Sequence, residues 1–291
     1  MRRKIRIGSR DSKLAVTQSE IIMDSIRKAH PDIELELITM KTTGDRILDR
    51  SLDKVGGKGL FVKELDQALL EERIDISVHS LKDMPMEISE ELPLVAFSKR
   101  EDARDVLITK GNFDIRKGIG LIGSSSNRRT LQLSNLYPNL EFRGIRGNVQ
   151  TRLRKLEEED YDAIVLALAG IRRLGLEHLI SRIFTTQEII PAAGQGILVV
   201  QGRKGQDYSF LDCVADREAR IAAICERSFV TELNGGCSSP IAAYATVSGQ
   251  EVRLEGLYYN EQDSTFKTGS IHGDSDDAVK LGSRLARQLR S

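Results

Sequence analysis

The stretch Ile74-Asp75-Ile76-Ser77-Val78-His79-Ser80-Leu81-Lys82-Asp83-Met84-Pro85 decides the fold class. Its first five residues read as a short strand, and His79, Ser80, Lys82 and Asp83 follow at once. The same plan recurs along two-thirds of the chain. Lys4–Gly8, Leu35–Met40, Leu92–Phe97, Asp105–Thr109, Gly120–Gly123, Leu140–Ile145, Ala163–Ala167 and Gly196–Gln201 are further strand candidates, most of them apolar throughout. Such runs suit strands covered on both faces. Between them, Ile22, Ile26 and Ala29, then Phe61, Leu65, Ala68 and Leu69, then Val149, Leu153 and Leu156 recur at helical spacing. The alternation predicts α/β layers around a largely parallel sheet, in which ligands bind at the carboxyl ends of strands. Ser80, Lys82 and Asp83 stand at such an end.

The highly charged Arg100–Arg104 is expected to cross into a second domain, and Pro191–Gly196 to return. From about Asp216 the order changes to a long helix reaching Leu233, strands at Ile241–Val247, Glu251–Tyr258 and Thr265–Ile271, and a closing helix, Asp276–Leu289. The predicted domains are therefore 1–98 with 195–214, 99–194, and a small α+β domain with an antiparallel sheet over 215–291. A chain of 291 residues accommodates two or three domains.

Lys+Arg and Asp+Glu both number 43, so no global field draws in nucleic acid or an anionic membrane, and anion binding must be local. Met1-Arg2-Arg3-Lys4 looks like the start of an export signal, but Ile5-Arg6-Ile7-Gly8-Ser9-Arg10 supplies no apolar core behind it. No stretch approaches a membrane span, and a cytoplasmic protein is expected. Cys213, Cys225 and Cys237 cannot form a complete set of disulfides and match no zinc spacing; no metal is expected. Cys225 shares an apolar helical stripe with Ala222, Phe229 and Leu233 and reads as core; Cys213 is left open, with core the favoured reading. Cys237 differs. In Leu233-Asn234-Gly235-Gly236-Cys237-Ser238-Ser239-Pro240 two glycines clear bulk before it and a proline ends regular structure after it, so the thiol is presented.

Several strand-to-helix turns carry arginine. Gly123-Ser124-Ser125-Ser126-Asn127-Arg128-Arg129 offers backbone N–H groups and hydroxyls at a helix start. Cations in a first helical turn oppose the helix dipole by roughly 0.3–1 kcal/mol each, so the arginine pair implies an anion that offsets it; two solvated arginines are the second reading. Arg146, Arg152 and Lys155 follow the next strand, Arg172 and Arg173 another, and Arg10 with Ser12 the first, while Arg154 points elsewhere. Arginine's planar fork donates two parallel hydrogen bonds to a carboxylate, so a ligand with many carboxylates is implied. Phosphate fits less well: Gly56-Gly57-Lys58-Gly59 lacks P-loop spacing and reads equally as a mobile loop or an exposed connection. Asp83 at a strand end beside Ser80 and Lys82 reads as functional rather than as a turn cap, and His79 as structural.

Val78-His79-Ser80-Leu81-Lys82-Asp83, Val55-Gly56-Gly57-Lys58-Gly59-Leu60-Phe61, Arg146-Gly147-Asn148, Gly194-Gln195-Gly196 and Asn234-Gly235-Gly236-Cys237 together resemble, in order over nearly the whole chain, the porphobilinogen deaminase (hydroxymethylbilane synthase) family. The resemblance implies two domains like the halves of a type II periplasmic binding protein, with the active cleft between them, plus a small third domain. It implies a dipyrromethane cofactor held by Cys237 through a thioether, on which porphobilinogen units join head to tail with loss of ammonia. Water then releases the linear tetrapyrrole hydroxymethylbilane. The enzyme would be a cytoplasmic monomer of heme biosynthesis, with neither nucleic acid nor membrane as partner.

By the same resemblance Asp83 is the catalytic carboxylate, stabilising positive charge on pyrrole nitrogens. Cys237, Ser80, Lys82, Asp83, Ser126, Arg128, Arg129 and Arg146 would hold the cofactor; Arg10, Ser12, Arg146, Arg152, Arg173 and Gln195 the substrate. Lys54, Lys58 and Phe61 would belong to a loop over the cleft. The alternatives are a non-catalytic two-lobed protein that binds or senses carboxylates, and a reactive-cysteine enzyme with His79 as base.

Overall fold

Strands rich in Ile, Val and Leu need cover on both faces. A computed structural model, which describes residues 3–42, 62–235, 239–260 and 265–291, meets that need in two sheets of like plan. The chain divides into two compact units, Met1–Arg100 with Ile197–Arg220, and Glu101–Gly196 with Ile221–Ser291.

In the first unit β1 (Lys4–Arg10), β2 (Glu34–Met40), β3 (Ile76–Ser80), β4 (Leu94–Phe97) and β10 (Leu198–Gly202) form a sheet in the order β2-β1-β3-β10-β4. Only β10 runs against the others. One face packs Ile22 and Ile26 of α1 (Lys13–Ala29) with Ile5, Ile7, Ile76 and Val78. On the other cluster lie Leu65 and Leu69 of α2 (Lys63–Leu70) with Ile74 and Leu92. The strand expected at Ile74–Val78 lies two residues further on. The Ile74 N–H is bonded to Ala68 O at the end of α2, whereas His79 and Ser80 pair with Val199 and Leu198. Ser80 therefore closes the strand, and a 3-10 turn, Leu81–Asp83, follows.

The second unit repeats the plan with β5 (Asp105–Thr109), β6 (Gly120–Gly123), β7 (Leu140–Arg143), β8 (Ala163–Ala167) and β9 (Arg182–Ile183) in the order β7-β6-β8-β5-β9. Here β5 is the antiparallel strand. In both sheets the opposed strand is the one with which the chain enters: β5 after Arg100, β10 after Gly196. Helices α3 (Asn127–Leu136), α4 (Val149–Glu158) and α5 (Leu168–Arg173) each follow a strand. The run expected to be strand through Ile145 stops at Arg143, because Ser125 Oγ donates to Ile145 O and Gly147 takes a left-handed φ of 113°. A Cβ does not tolerate that turn.

The remaining part carries α6 (Arg217–Glu232), an antiparallel sheet of β11 (Ala242–Ser248), β12 (Glu251–Asn260) and β13 (Thr265–Asp274), and α7 (Ala278–Arg290). The expected stripe of Ala278, Leu281, Leu285 and Leu289 is buried. A Cβ on Gly282 would lie 2.3 Å from Cys225 O, so α7 crosses α6 at backbone contact. The α/β class with a small antiparallel α+β portion is thus as expected. No helix among the described residues is long and apolar enough to cross a membrane.

The second unit is organised around one fully buried carboxylate. Asp105, at the start of β5, accepts from Arg128 Nη2 at 2.7 Å, from Arg129 Nη2 at 2.7 Å and Nε at 3.1 Å, and from Gln195 Nε2 at 2.9 Å. Arg128 Nη1 also donates to Ile190 O, and Arg129 Nη1 to Val165 O. Burial alone would raise the Asp105 pKa; the charges and hydrogen bonds of both arginines overcome it and hold the group well below the carboxylate range. Removing the carboxylate strands two buried cations, so Asp105→Ala is expected to lower unfolding free energy by about 3–5 kcal/mol in denaturant titrations at neutral pH. Because the folded-state pKa is depressed, this contribution is present above the ordinary value of 3.8 and is lost as pH falls through the folded value. The gap between wild type and variant therefore narrows in acid. An equally stable variant at pH 7 would refute the assignment.

Candidate functional site

Parallel neighbours end on the same sheet edge, so Arg10 at the end of β1 and Ser80 at the end of β3 share one. Ser80 Oγ is hydrogen-bonded to the Gln18 side-chain amide, with Gln18 Nε2 at 3.0 Å. Lys82 is half-buried in the turn that follows, and Asp83 is exposed. The Asp83 carboxylate makes no hydrogen bond or ion pair among the described residues. Ser12 caps α1, its Oγ accepting from the Ala15 N–H at 3.3 Å, which leaves the hydroxyl proton for another acceptor. His79 is buried with Nε2 2.8 Å from Ser77 Oγ; burial, then the charge of Arg10, brings its pKa down to about 4, and it is neutral at pH 7. That geometry supplies no thiol partner for a histidine base among the described residues.

In the second unit the turns after β6, β7 and β8 lie on one edge too. Ser126 precedes α3 without capping it through its side chain, and its Oγ has no partner among the described residues. The anion that the Arg128–Arg129 pair was expected to require is supplied from within, by Asp105. Both guanidiniums are turned inward and buried, and each is bound to Asp105 and to a backbone carbonyl. Two cations against one carboxylate nevertheless leave a surplus positive charge beside the start of α3. Burial lowers the Arg128 pKa and Asp105 opposes the shift; a guanidinium stays charged at any working pH.

Arg146 is half-exposed and makes no hydrogen bond or ion pair among the described residues. Arg152 Nε donates to Gly147 O at 2.8 Å, bracing the same turn. Arg173 Nη2 donates to Gly196 O; burial brings its pKa down to about 10 against the pull of Glu101, which still leaves it charged at pH 7. Gln195 is buried and its side chain is bound to Ala103 O as well as Asp105. Arg172 is paired with Glu101 and Asp102, and Arg154 with Glu158 on the exposed side of α4. Lys54, Lys58, Phe61 and Cys237 lie outside the described residues.

Two residues of this network gave little sign in the sequence. Asp105 is a single acid before an apolar run, and its only clue is the arginine pair in want of a counter-charge. Glu226 is fully buried on α6, where Oε1 accepts from the Ala245 N–H and Oε2 from the Gly194 N–H, both at 2.7 Å. It ties α6 to β11 and to the Gly194-Gln195-Gly196 passage. Cys225 is buried on α6 as expected, its thiol pushed up to about 12 by burial. Cys213, for which core is the favoured reading, is instead exposed, because the turn after Phe210 carries it outward with Sγ donating to Phe210 O. Among the described residues no group of His, Cys, Asp and Glu is placed to hold a metal.

Two family models match consecutive parts of the chain: "Porphobilinogen deaminase, dipyromethane cofactor binding domain" over residues 5–210, and "Porphobilinogen deaminase, C-terminal domain" over residues 220–291. Curated proteins named porphobilinogen deaminase align over almost their whole length. That of Ruminiclostridium josui is 56% identical over 99% of this chain and 98% of its own. The Acetivibrio thermocellus protein is 54% identical over 98% of both, and one from Clostridium botulinum is 44% identical over 97% of this chain and 98% of its own. Strand ends that carry a free carboxylate on one sheet and arginines with surplus charge on the other, in a chain matched from end to end, leave one assignment: the chain belongs to the porphobilinogen deaminase family.

Proposed function

We propose that this protein is a hydroxymethylbilane synthase, a transferase of tetrapyrrole biosynthesis that joins porphobilinogen units on a dipyrromethane primer held by Cys237 through a thioether. The observation that carries the reading is the end-to-end family match together with Asp83, an exposed carboxylate at the carboxyl end of β3 that has no partner among the described residues. In each cycle the aminomethyl carbon of porphobilinogen loses ammonia and bonds to the free α-carbon of the preceding ring, which gives up its proton. Water ends the sequence by taking the place of the primer.

The residues present fit a dipyrromethane, whose acetate and propionate groups call for cations and hydroxyls. Arg128 and Arg129 carry one more positive charge than Asp105 offsets, and Ser126 Oγ is uncommitted among the described residues. Ser80 and Lys82 would hold carboxylates at the end of β3. When bound, the dipyrromethane supplies the pyrrole carbon on which the chain starts, and it stays with the protein when product leaves. Asp83 stabilises the positive charge that collects on pyrrole nitrogens as ammonia departs and as each carbon–carbon bond forms, and holds the proton in transit. Arg10, Ser12, Arg146, Arg152, Arg173 and Gln195 serve the substrate and the lengthening chain; of these Arg146 is best placed, since nothing described competes for it. Lys54, Lys58 and Phe61, outside the described residues, would cover the substrate.

Three domains are proposed, 1–98 with 195–214, 99–194 and 215–291, supported by the break between the two family matches and by the separate antiparallel sheet. The protein works in the cytoplasm as a monomer on a small molecule. The balance of 43 basic and 43 acidic residues supports the exclusion of nucleic acid and membrane surfaces as partners.

The intact mass of the purified protein is expected to exceed the sequence mass by one dipyrromethane, and Cys237→Ala to lack that excess. An active enzyme of unmodified mass would sink the proposal. Asp83→Asn is expected to keep fold and added mass but lose turnover by about 10²–10⁴-fold, the range of a positioned proton-transfer group. Near-normal steady-state rates in that variant would rule out the role given to Asp83.

A further inference from the structure

Arg143 is the strand-end arginine that none of these assignments uses. It is the last residue of β7 and is exposed, and its Cζ lies 4.4 Å from the centroid of the Tyr161 ring. No carboxylate meets it among the described residues. The ring beneath is held firmly: Tyr161 is 3% exposed and its hydroxyl donates to Gly144 O at 2.9 Å. A Cβ on Gly123 would come within 3.1 Å of that ring, so the end of β6 also packs on it. The two neighbouring turns are bonded to each other at Arg143 and two residues beyond it. The Ser124 N–H donates to Arg143 O at 3.0 Å, and Ser125 Oγ to Ile145 O at 2.8 Å. One of these turns carries Ser126, the other Arg146.

Stacking occupies the face of a guanidinium and leaves its N–H groups, which lie in the plane, directed outward. It also restricts a side chain that otherwise loses rotamer freedom when it binds, so an arginine seated in this way is organised in advance for a planar anion. We propose that Arg143 is a carboxylate-binding residue for the pyrrole substrate chain, acting with Arg146 on the same turn, and that Tyr161 is the positioning residue that seats it. The inference rests on the reading of this protein as a hydroxymethylbilane synthase and adds to the bank of arginines assigned to substrate.

The test is isothermal titration of the full-length protein, carrying its cofactor, with a porphobilinogen analogue in which methyl replaces aminomethyl, so that binding occurs without loss of ammonia. Arg143→Gln is expected to raise the dissociation constant about tenfold or more, as loss of a charge-assisted hydrogen bond does. Arg143→Lys should recover only part, because an ammonium neither stacks as a plane nor donates in parallel. Tyr161→Leu should weaken binding in the same sense with Arg143 still present, while Tyr161→Phe keeps the ring and most of the affinity. Wild-type affinity in Arg143→Gln overturns the proposal, provided that Arg146→Gln weakens binding. If neither arginine matters, the carboxylate-bank reading falls with it. Should Arg143→Gln fail to fold, Arg143→Lys decides, and unchanged affinity there overturns the proposal.

Discussion

The second unit depends on a carboxylate that cannot leave its arginines. Asp105 is fully buried at the head of β5, and the four N–H groups it accepts come from α3 and from the Gly194-Gln195-Gly196 passage. Neither charge type is tolerated alone at such depth, since desolvation costs several kcal/mol per ion. The strand that enters the sheet, the helix that opens on the site and the segment that leaves the unit are therefore fixed by one electrostatic condition. Arg128 and Arg129 extend it to Ile190 and Val165 through their remaining donors. Glu226 adds a second buried carboxylate at Gly194, joining α6 and β11 to the same passage.

Internal partners divide the arginine-rich turns into two kinds of group. Arg128, Arg129 and Gln195 are built into the unit and cannot be removed without cost to the fold. Asp83, Ser126 and Arg146 have no side-chain partner among the described residues. An exposed ion without a partner costs little in free energy, because water solvates it, yet it is available to a ligand. Ser80 and Arg152 fall between: Ser80 Oγ is bonded to the Gln18 amide, and Arg152 Nε to Gly147 O. Residue type and neighbouring sequence do not separate these groups; the network of contacts does.

Legibility in the sequence followed the range of the interaction. Apolar runs and helical stripes are local, and they located the sheets, α1, α4 and the buried face of α7. The expected bounds of β3 fall two residues early, because its end is set by pairing with β10, more than a hundred positions away. Two residues of β9 are too few to show any period. The arginine pair did announce a missing anion through its conflict with the helix dipole, but whether ligand or protein supplied it depended on Asp105, whose burial is a property of the assembled sheet. Cys213 stayed open in the sequence for a related reason: a small apolar-looking residue in a turn has no periodicity to place it. For Asp83 the local pattern of strand and then polar cluster was enough to place it at the end of β3.

The arrangement of charge agrees with what the proposed reaction asks of it. Each added pyrrole brings two more carboxylates, so the ligand's charge grows while the protein's does not. A resident primer calls for fixed counter-charge, and the surplus of Arg128 and Arg129 over Asp105 is fixed by burial. A lengthening chain calls for cations that form new contacts at each stage without unfolding anything, which describes half-exposed Arg146 and the stacked Arg143. With the first kind in the core and the second on its rim, one sheet edge would hold a constant group and serve a changing one, Arg146 being the residue proposed for both.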